Sequence, residues 1–158
     1  MAAVVADASV LIALAQIDRL SLLEQLFGEV LIPAAVAREI SPGLSGLPPW
    51  VRAHALDEPP DPRVAAASLD TGETEAITLA LVVKAERIIL DDLPARRLAL
   101  AVGLSVVGTA GVLFAAKQKG LLPAVAPALD ALRARGFWLR QDVYEEILEA
   151  AGEATRQS

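Results

Sequence analysis

Short apolar runs alternate along the chain with segments in which apolar residues recur at helical intervals. Four of these runs are predicted to be strands. The first begins with Val4 and Val5 and ends at Asp7, and the others are residues 29–33, 87–90 and 104–108. Each is apolar throughout rather than at every second position, which is typical of strands covered on both faces of a parallel sheet. A fifth segment, residues 50–56, is flanked by loop-forming stretches at 41–49 and 57–62 and is predicted as a short edge strand.

Helical spacing follows most of these strands. The first predicted helix begins just after Asp7, continues through Leu26 and stops at Gly28, and a second, short helix passes through Val36 and Ile40. Three more are predicted over residues 72–83, 94–103 and 109–120. Beyond Pro123 the pattern is mainly helical, with residues 137–140 left open between strand and helix. Strands alternating with helices predict the α/β class. We expect a single domain over 1–158, in which 123–158 form a mainly helical C-terminal extension.

The composition limits which side chains could form a catalytic or metal-binding site. The 158 residues include no cysteine and one histidine, His54, so thiolate sites and histidine-rich metal sites are excluded and carboxylates are the remaining candidates. The formal net charge of -6 argues against bulk attraction to nucleic acid, although carboxylates that await a divalent cation would make a metalloenzyme look too acidic. With no apolar run of about 18 residues and no signal-peptide pattern, a cytoplasmic protein without membrane contact is expected.

Several carboxylates follow predicted strands. Asp7 ends the first strand, and Asp91 and Asp92 end the strand at 87–90. The carboxyl ends of parallel strands share one edge, where ligands bind in open α/β sheets. Glu39 and Glu75 lie on helices that could present them to the same edge. Such a cluster favours a hard cation with oxygen ligands, Mg²⁺ or Mn²⁺, and that cation supports phosphodiester hydrolysis.

Structural roles compete for the same residues. Asp7 could cap the following helix, with Ser9 as a second capping oxygen, and Asp91 could cap the helix after it. Glu39 could be a solvated helix residue. Glu73 is expected to complete a capping box with Asp70 and to point away from the site.

Three segments resemble PIN-domain ribonucleases. "VVADASVLIALA" is similar to their first motif, "LIPAAVAREI" to the second, and "TGETEAITLALVVKAERIILDD" to the third and fourth. The likeness covers roughly residues 2–116 and is closest to PIN-like proteins related to VapC toxins. It implies a PIN-like three-layer α/β/α sandwich with a central parallel sheet, to which the C-terminal helices are additional.

The resemblance also implies a function and its residues. It suggests a Mg²⁺- or Mn²⁺-dependent endoribonuclease, often the toxin of a toxin–antitoxin pair, usually a homodimer, and inhibited by a small antitoxin protein in the acidic cleft. Carried onto this chain, the metal ligands are Asp7, Glu39, Glu75 and either Asp91 or Asp92, with Ser9 orienting a ligand or water. The chain departs from the family pattern at two places. The helix acid, usually Asp, is Glu75, and the end of the last motif, which more commonly reads Thr, any residue, Asp, is "LDDL" here.

Basic residues near these motifs are candidates for RNA binding. Arg38 adjoins Glu39, and Arg96 and Arg97 begin the helix after the aspartate pair, where they could instead pair with the acids. Lys117 and Lys119 are equally well explained as a solvated helix face.

The leading hypothesis is therefore a PIN-type ribonuclease with RNA as its substrate. A catalytically weak or inactive PIN fold that binds nucleic acid or an antitoxin is the alternative. A phosphoacceptor α/β domain ranks lower, because Ser9 stands where a second aspartate would be needed and no lysine follows the strand at 104–108.

Overall fold

The structure is a computed structural model that describes residues 2–42 and 46–153. Its strands are β1 Val4–Ala6, β2 Val30–Pro33, β3 Val51–His54, β4 Arg87–Ile89 and β5 Val106–Val107. Its helices are α1 Ala8–Gln16, α2 Ser21–Phe27, α3 Ala34–Ile40, α4 Pro62–Ala66, α5 Thr71–Val82, α6 Leu93–Ala101, α7 Thr109–Gln118, α8 Ala126–Ala134 and α9 Gln141–Ala150.

The five strands form one parallel sheet in the order β3-β2-β1-β4-β5. The chain builds outward from β1 to β3 and then returns to place β4 on the other side of β1. Ala6 is in register with Ile89, and the Asp7 N–H donates to the Ile89 carbonyl at 2.9 Å. The carboxyl ends of β1 and β4 therefore form the point at which strand order reverses, the usual ligand position in open parallel sheets.

Apolar side chains cover both faces of the sheet, as continuous apolar strands require. Val4 and Ala6 join one buried cluster, together with residues of α1, α2, α7 and α8, while Val5 joins a second cluster with residues of α5 and α6. Successive strand residues point to opposite faces, so one short strand supplies both cores. The predicted α/β/α sandwich with a central parallel sheet is confirmed, and β3 is the predicted edge strand.

Two helical regions differ from the expectation. The helix predicted through Leu26 is two helices, because Asp18 takes a left-handed φ of +58° and the Arg19 N–H turns back to the Leu14 carbonyl at 2.8 Å. Helical periodicity missed this break since both helices bury leucines in the same cluster. Residues 57–62 were predicted as a break, yet α4 begins there, with the Asp61 carboxylate accepting from the Arg63 N–H at 2.8 Å.

The C-terminal part is helical as expected, and residues 137–140 between α8 and α9 are neither strand nor helix. Leu129 of α8 and Leu148 of α9 join the first buried cluster. Of the predicted loop at 41–49, residues 43–45 lie outside the described residues. Within the described ranges, no helix has the length and apolar character needed to span a bilayer.

Candidate functional site

A cavity of about 1080 Å³ opens at the carboxyl ends of β1 and β4. Carboxylates from separate parts of the chain line one side of it, namely Asp7, Glu39, Asp70, Glu73, Asp91 and Asp92. The other side is mainly apolar and is formed by α7 and by the chain from Phe137 into α9. A seventh acid, Glu146 of α9, lines the mainly apolar side. The fold thus gathers seven acidic side chains around the position where the sheet topology predicts a ligand.

Asp7 occupies the position before α1, but its carboxylate makes no capping hydrogen bond to that helix. The residue is only 5% exposed, and its Oδ2 accepts a hydrogen bond from the Ser9 hydroxyl at 3.3 Å. Burial raises the pKa of Asp7 to about 6; the charges of Asp70 and Glu39 add to the effect, and interactions with the Ala8 N–H and the Ser9 hydroxyl oppose it. Because these interactions do not offset burial, the charged carboxylate is costly for the fold, which points to a role other than capping.

Glu73 and Asp70 form the predicted capping box of α5. The Glu73 N–H donates to Asp70 Oδ1 at 2.7 Å, and the Asp70 N–H donates to Glu73 Oε1 at 3.4 Å. Glu73 was expected to point elsewhere, yet it is buried and lines the cavity. Burial raises the pKa of Glu73 to about 7, with repulsion from Asp70, Asp92 and Asp7 contributing. These four carboxylates therefore share one electrostatic environment.

Glu39 reaches the same region from α3. A β-carbon built on Gly72, in the first turn of α5, would collide with Glu39 Oε1. Gly72 thus leaves the space in which the Glu39 carboxylate lies against the start of α5. Burial raises the pKa of Glu39, and the charge of Asp70 adds to that shift.

The two adjacent aspartates have different partners. Asp91 accepts from Thr109 twice, from the backbone N–H at 2.8 Å and from the hydroxyl at 2.6 Å, so both of its oxygens are engaged at the start of α7. Asp92 caps α6 through Oδ2, which accepts from the Ala95 N–H at 3.1 Å. Asp92 is also the one whose charge acts on Glu73. The geometry therefore favours Asp92 over Asp91 as the member of the carboxylate cluster.

Glu75 is not placed as expected. It does not line the cavity, and its Oε1 accepts a hydrogen bond from the Ala35 N–H at 3.0 Å, in the first turn of α3. The expectation came from helical spacing toward Leu79, but α5 is buried on several sides, so spacing could not single out one face. The sequence feature that distinguishes Glu73 is its place in the first turn of α5, beside the Asp70 cap, whereas Glu75 lies beyond that turn.

The basic residues expected to bind RNA differ in whether they line the cavity. Arg96 lines the cavity and donates through Nη1 to the Leu90 carbonyl at 3.1 Å, whereas Arg38 and Arg97 are exposed and do not line it. Lys117 pairs with Glu153 at 3.0 Å. Arg140, which sequence reasoning did not select, lines the cavity from the opposite side.

The fit of this site to a divalent cation rests on its donor atoms. The cluster offers carboxylate oxygens whose charges are disfavoured by burial and mutual repulsion, which a hard cation would relieve. Within residues 2–42 and 46–153, no three acidic or histidine side chains are arranged closely enough to form a metal cage. Mg²⁺ is commonly held by one or two carboxylates with several waters retained, and the site fits that mode.

Comparison with known proteins agrees with this description. A family model described as a PIN domain (DUF3368) matches residues 3–153. The chain therefore belongs to the PIN-domain family, which has a nuclease fold and is generally associated with divalent metals and nucleic acid. No curated protein and no solved structure matches it. The match continues through α8 and α9, beyond the span of the sequence motifs.

Proposed function

We propose that this protein is a divalent-metal-dependent endoribonuclease. The observation that carries the proposal is the convergence of Asp7, Glu39, Glu73 and Asp92, from four separate segments, on one cavity at the reversal point of the sheet. The family membership supports a nuclease fold, and the carboxylates provide chemistry suited to phosphodiester hydrolysis.

Mg²⁺ or Mn²⁺ is the proposed cofactor. Asp7 and Asp92 would hold it, with Glu73 and Glu39 contributing through retained waters. When bound, such a cation supplies a water of lowered pKa and neutralises charge that develops on the phosphate. Asp91, whose oxygens both bind Thr109, is proposed to position the start of α7, and Glu75 is proposed to cap α3.

The surrounding residues prepare the carboxylates for this role. The Ser9 hydroxyl fixes Oδ2 of Asp7, and the capping box fixes Glu73 at the start of α5. Asp92 is held through its bond to the Ala95 N–H. Arg96 lines the cavity, and its guanidinium, of which Nη1 donates to the Leu90 carbonyl, would contact a substrate phosphate through its remaining N–H groups. Arg38 and Arg97 remain proposals as peripheral RNA contacts.

The test is cleavage of a panel of structured and unstructured RNAs with Mg²⁺ or Mn²⁺, with EDTA as the metal-free control. Asp7→Asn is the site variant. Asp57→Asn is the matched control, because Asp57 is an exposed carboxylate outside the cavity. We expect metal-dependent cleavage by the wild type and Asp57→Asn, and loss of at least about 100-fold in Asp7→Asn, the range seen when a key electrostatic group is removed.

A PIN fold that binds nucleic acid without cutting it is the second candidate. It is favoured by the hydrogen bonds that already engage Asp91 and Glu75, two of the acids that the family resemblance makes metal ligands. RNA binding by wild type and Asp7→Asn alike, with no cleavage under any metal, would establish this candidate and reject the ribonuclease.

The likeness to VapC-related proteins supports three finer proposals. These are a toxin role, inhibition by a small antitoxin protein, and a homodimer. Growth arrest on expression, dependent on Asp7, would test the toxin role, and light scattering of the purified chain would test the dimer. A neighbouring reading frame whose product restores growth would identify the antitoxin.

A further inference from the structure

Gly72 lies in the first turn of α5 and is buried, yet its backbone does not require a glycine. Gly28 and Gly103, like other glycines that follow helices, take a left-handed φ at which a side chain would be strained, whereas Gly72 is helical and takes no such φ. A glycine within a helix lowers the stability of that helix relative to alanine. Gly72 therefore carries a cost for α5 that its backbone conformation does not explain.

The space beside Gly72 is occupied by carboxyl groups. A β-carbon at this position would collide with Glu39 Oε1, and it would approach Glu39 Cδ to 3.3 Å and Asp70 Oδ1 to 3.5 Å. These are the three nearest heavy atoms apart from the adjoining residues and the backbone of α5, and none of them belongs to an apolar side chain. Gly72 thus makes room for two acids.

The two helices that carry these residues are fixed against each other about one turn away. α3 packs against α5, and the Glu75 carboxylate accepts from the Ala35 N–H at 3.0 Å. Glu75 follows Gly72 by three residues, and Ala35 precedes Glu39 by four, so each interval is about one helical turn. We therefore expect a methyl group at position 72 to displace the Glu39 side chain rather than the helices.

Glu39 can move away from Gly72 at little cost to the metal-free fold. The residue as a whole is exposed, although its carboxyl end lies against the start of α5, so solvent is open to a rotated side chain. Rotation would also relieve the repulsion by Asp70 that adds to the raised pKa of Glu39. The position of this carboxylate therefore matters chiefly when a cation is bound.

We propose that Gly72 is a positioning residue, which keeps the Glu39 carboxylate at the cavity, where it can hold a water of the bound cation. The inference rests on the proposed function and adds to it a residue that contacts neither metal nor substrate. Groups that orient the ligands of a metal change its affinity about 10- to 100-fold when they are altered. With a methyl group in this space, Glu39 would point to solvent and the site would lose one of its acids.

Close packing of α3 on α5 is the competing explanation for a buried glycine. It predicts that an added methyl group lowers stability without metal, because a strained contact persists whether or not a cation is bound. The positioning role predicts no loss, because alanine favours the helix and the Glu39 side chain can rotate. The sign of the stability change in EDTA therefore separates the two explanations.

The first test compares the melting temperature of Gly72→Ala with that of Thr71→Ala in the full chain with EDTA. Thr71 is the exposed neighbour in the same turn and does not line the cavity, so its replacement raises helix propensity and adds no atom near the carboxylates. For both variants we expect a Tm equal to the wild-type value or up to about 3 °C higher. A fall in Tm for Gly72→Ala would show that the glycine serves packing and would overturn the proposal.

The second test measures Mn²⁺ binding by calorimetry, which does not depend on RNA cleavage. Asp7→Asn removes a proposed ligand and so identifies the binding that belongs to this site. We expect Gly72→Ala to weaken that binding about tenfold and Thr71→Ala to leave it within about twofold. An affinity of Gly72→Ala within about twofold of the wild type would contradict the positioning role.

A double-mutant cycle shows whether Gly72 acts through Glu39. Glu39→Ala should weaken Mn²⁺ binding about as much as Gly72→Ala does, and the double variant should bind no more weakly than either single variant. Losses that add in the double variant would mean that Gly72 acts through another group, and the proposal would then be wrong.

RNA cleavage separates this inference from the proposed function. Gly72→Ala should cleave about tenfold more slowly at limiting Mn²⁺, and saturating Mn²⁺ should restore most of the rate. Asp7-dependent cleavage with unchanged Mn²⁺ affinity in Gly72→Ala would overturn the positioning role alone. Asp7-dependent Mn²⁺ binding that follows the cycle, without cleavage of any RNA, would keep the positioning role and reject the ribonuclease. A wild type without Asp7-dependent Mn²⁺ binding would overturn both.

Discussion

Asp91 accepts two hydrogen bonds from Thr109, at 2.8 Å from the backbone N–H and at 2.6 Å from the hydroxyl. A β-carbon on Gly108 would approach Asp91 Oδ1 to 2.7 Å, so glycine leaves the carboxylate room to reach Thr109. This contact fastens β4 to the start of α7. It also separates the roles of two adjacent aspartates that the sequence could not distinguish.

Asp91→Asn should destabilise the protein, and Asp92→Asn should mainly reduce activity. An amide cannot replace both acceptor oxygens of Asp91, and loss of a charge-assisted bond costs about 2 kcal/mol. Asparagine caps a helix about as well as aspartate, so Asp92→Asn keeps the cap of α6. Urea unfolding and the RNA cleavage assay measure the two effects. Thr109→Val, which removes the hydroxyl donor to Asp91, should lose stability in the same direction. Full activity in Asp92→Asn would contradict the assignment.

Glu73→Gln and Glu75→Gln form a matched pair two residues apart on α5. Glu73→Gln should lower metal-dependent cleavage about 10- to 100-fold, because it removes a carboxylate from the cavity. Glu75→Gln should leave cleavage within about twofold and lower the free energy of unfolding by about 1 kcal/mol, since its bond to the Ala35 N–H loses its charge. Cleavage rates and urea titrations of both variants provide the test, and the reverse ranking in cleavage would restore Glu75 as the site residue.

Asp7→Asn should stabilise the metal-free protein at pH 8. Burial raises the pKa of Asp7 from 3.8 to about 6, so the folded state disfavours the charge, and its contribution to stability falls as the pH rises from about 4 to about 6. Above that range, asparagine should gain about 1–3 kcal/mol, and below pH 4 the difference should disappear. Denaturant unfolding in EDTA at several pH values measures it. A variant less stable than wild type at pH 8 would show that the charge is already compensated.

Glu153 should show the opposite dependence on pH. Burial by itself raises the pKa of Glu153, but hydrogen bonds from the Val125 and Ala126 N–H groups and from Lys117 outweigh it and hold the pKa below its usual value. Its contribution is therefore present above the unfolded-state pKa and lost as the pH falls through the lower folded value. Glu153→Gln should lower the free energy of unfolding by about 2 kcal/mol at pH 7 and progressively less below pH 4. A constant difference down to pH 2 would mean that packing, not charge, is lost.

The fold class could be predicted from the order of the residues. Val4 and Val5 in an uninterrupted apolar run, and the similar run at 87–90, are typical of strands covered on both sides, and Gly28 ended the helical stretch that follows the first run. The same order also placed Asp7 and the aspartate pair at one edge, because the carboxyl ends of parallel strands coincide. Both predictions depend on local periodicity and on a rule of sheet topology, and the amino-acid sequence alone is enough to apply them.

The set of acids that share the cavity could not be predicted in this way, because it depends on contacts between distant segments. Glu73 and Glu75 differ by two positions on a helix buried on several sides, and contacts with α3 and the sheet, rather than helical spacing, set their directions. Asp91 and Asp92 are adjacent, and they were separated by Thr109, 18 residues further along the chain. Trp138 lines the same cavity as Asp92, although it lies 46 residues beyond it in the sequence. The direction of a side chain depends on neighbours that are distant in the sequence, and local periodicity carries no information about those contacts.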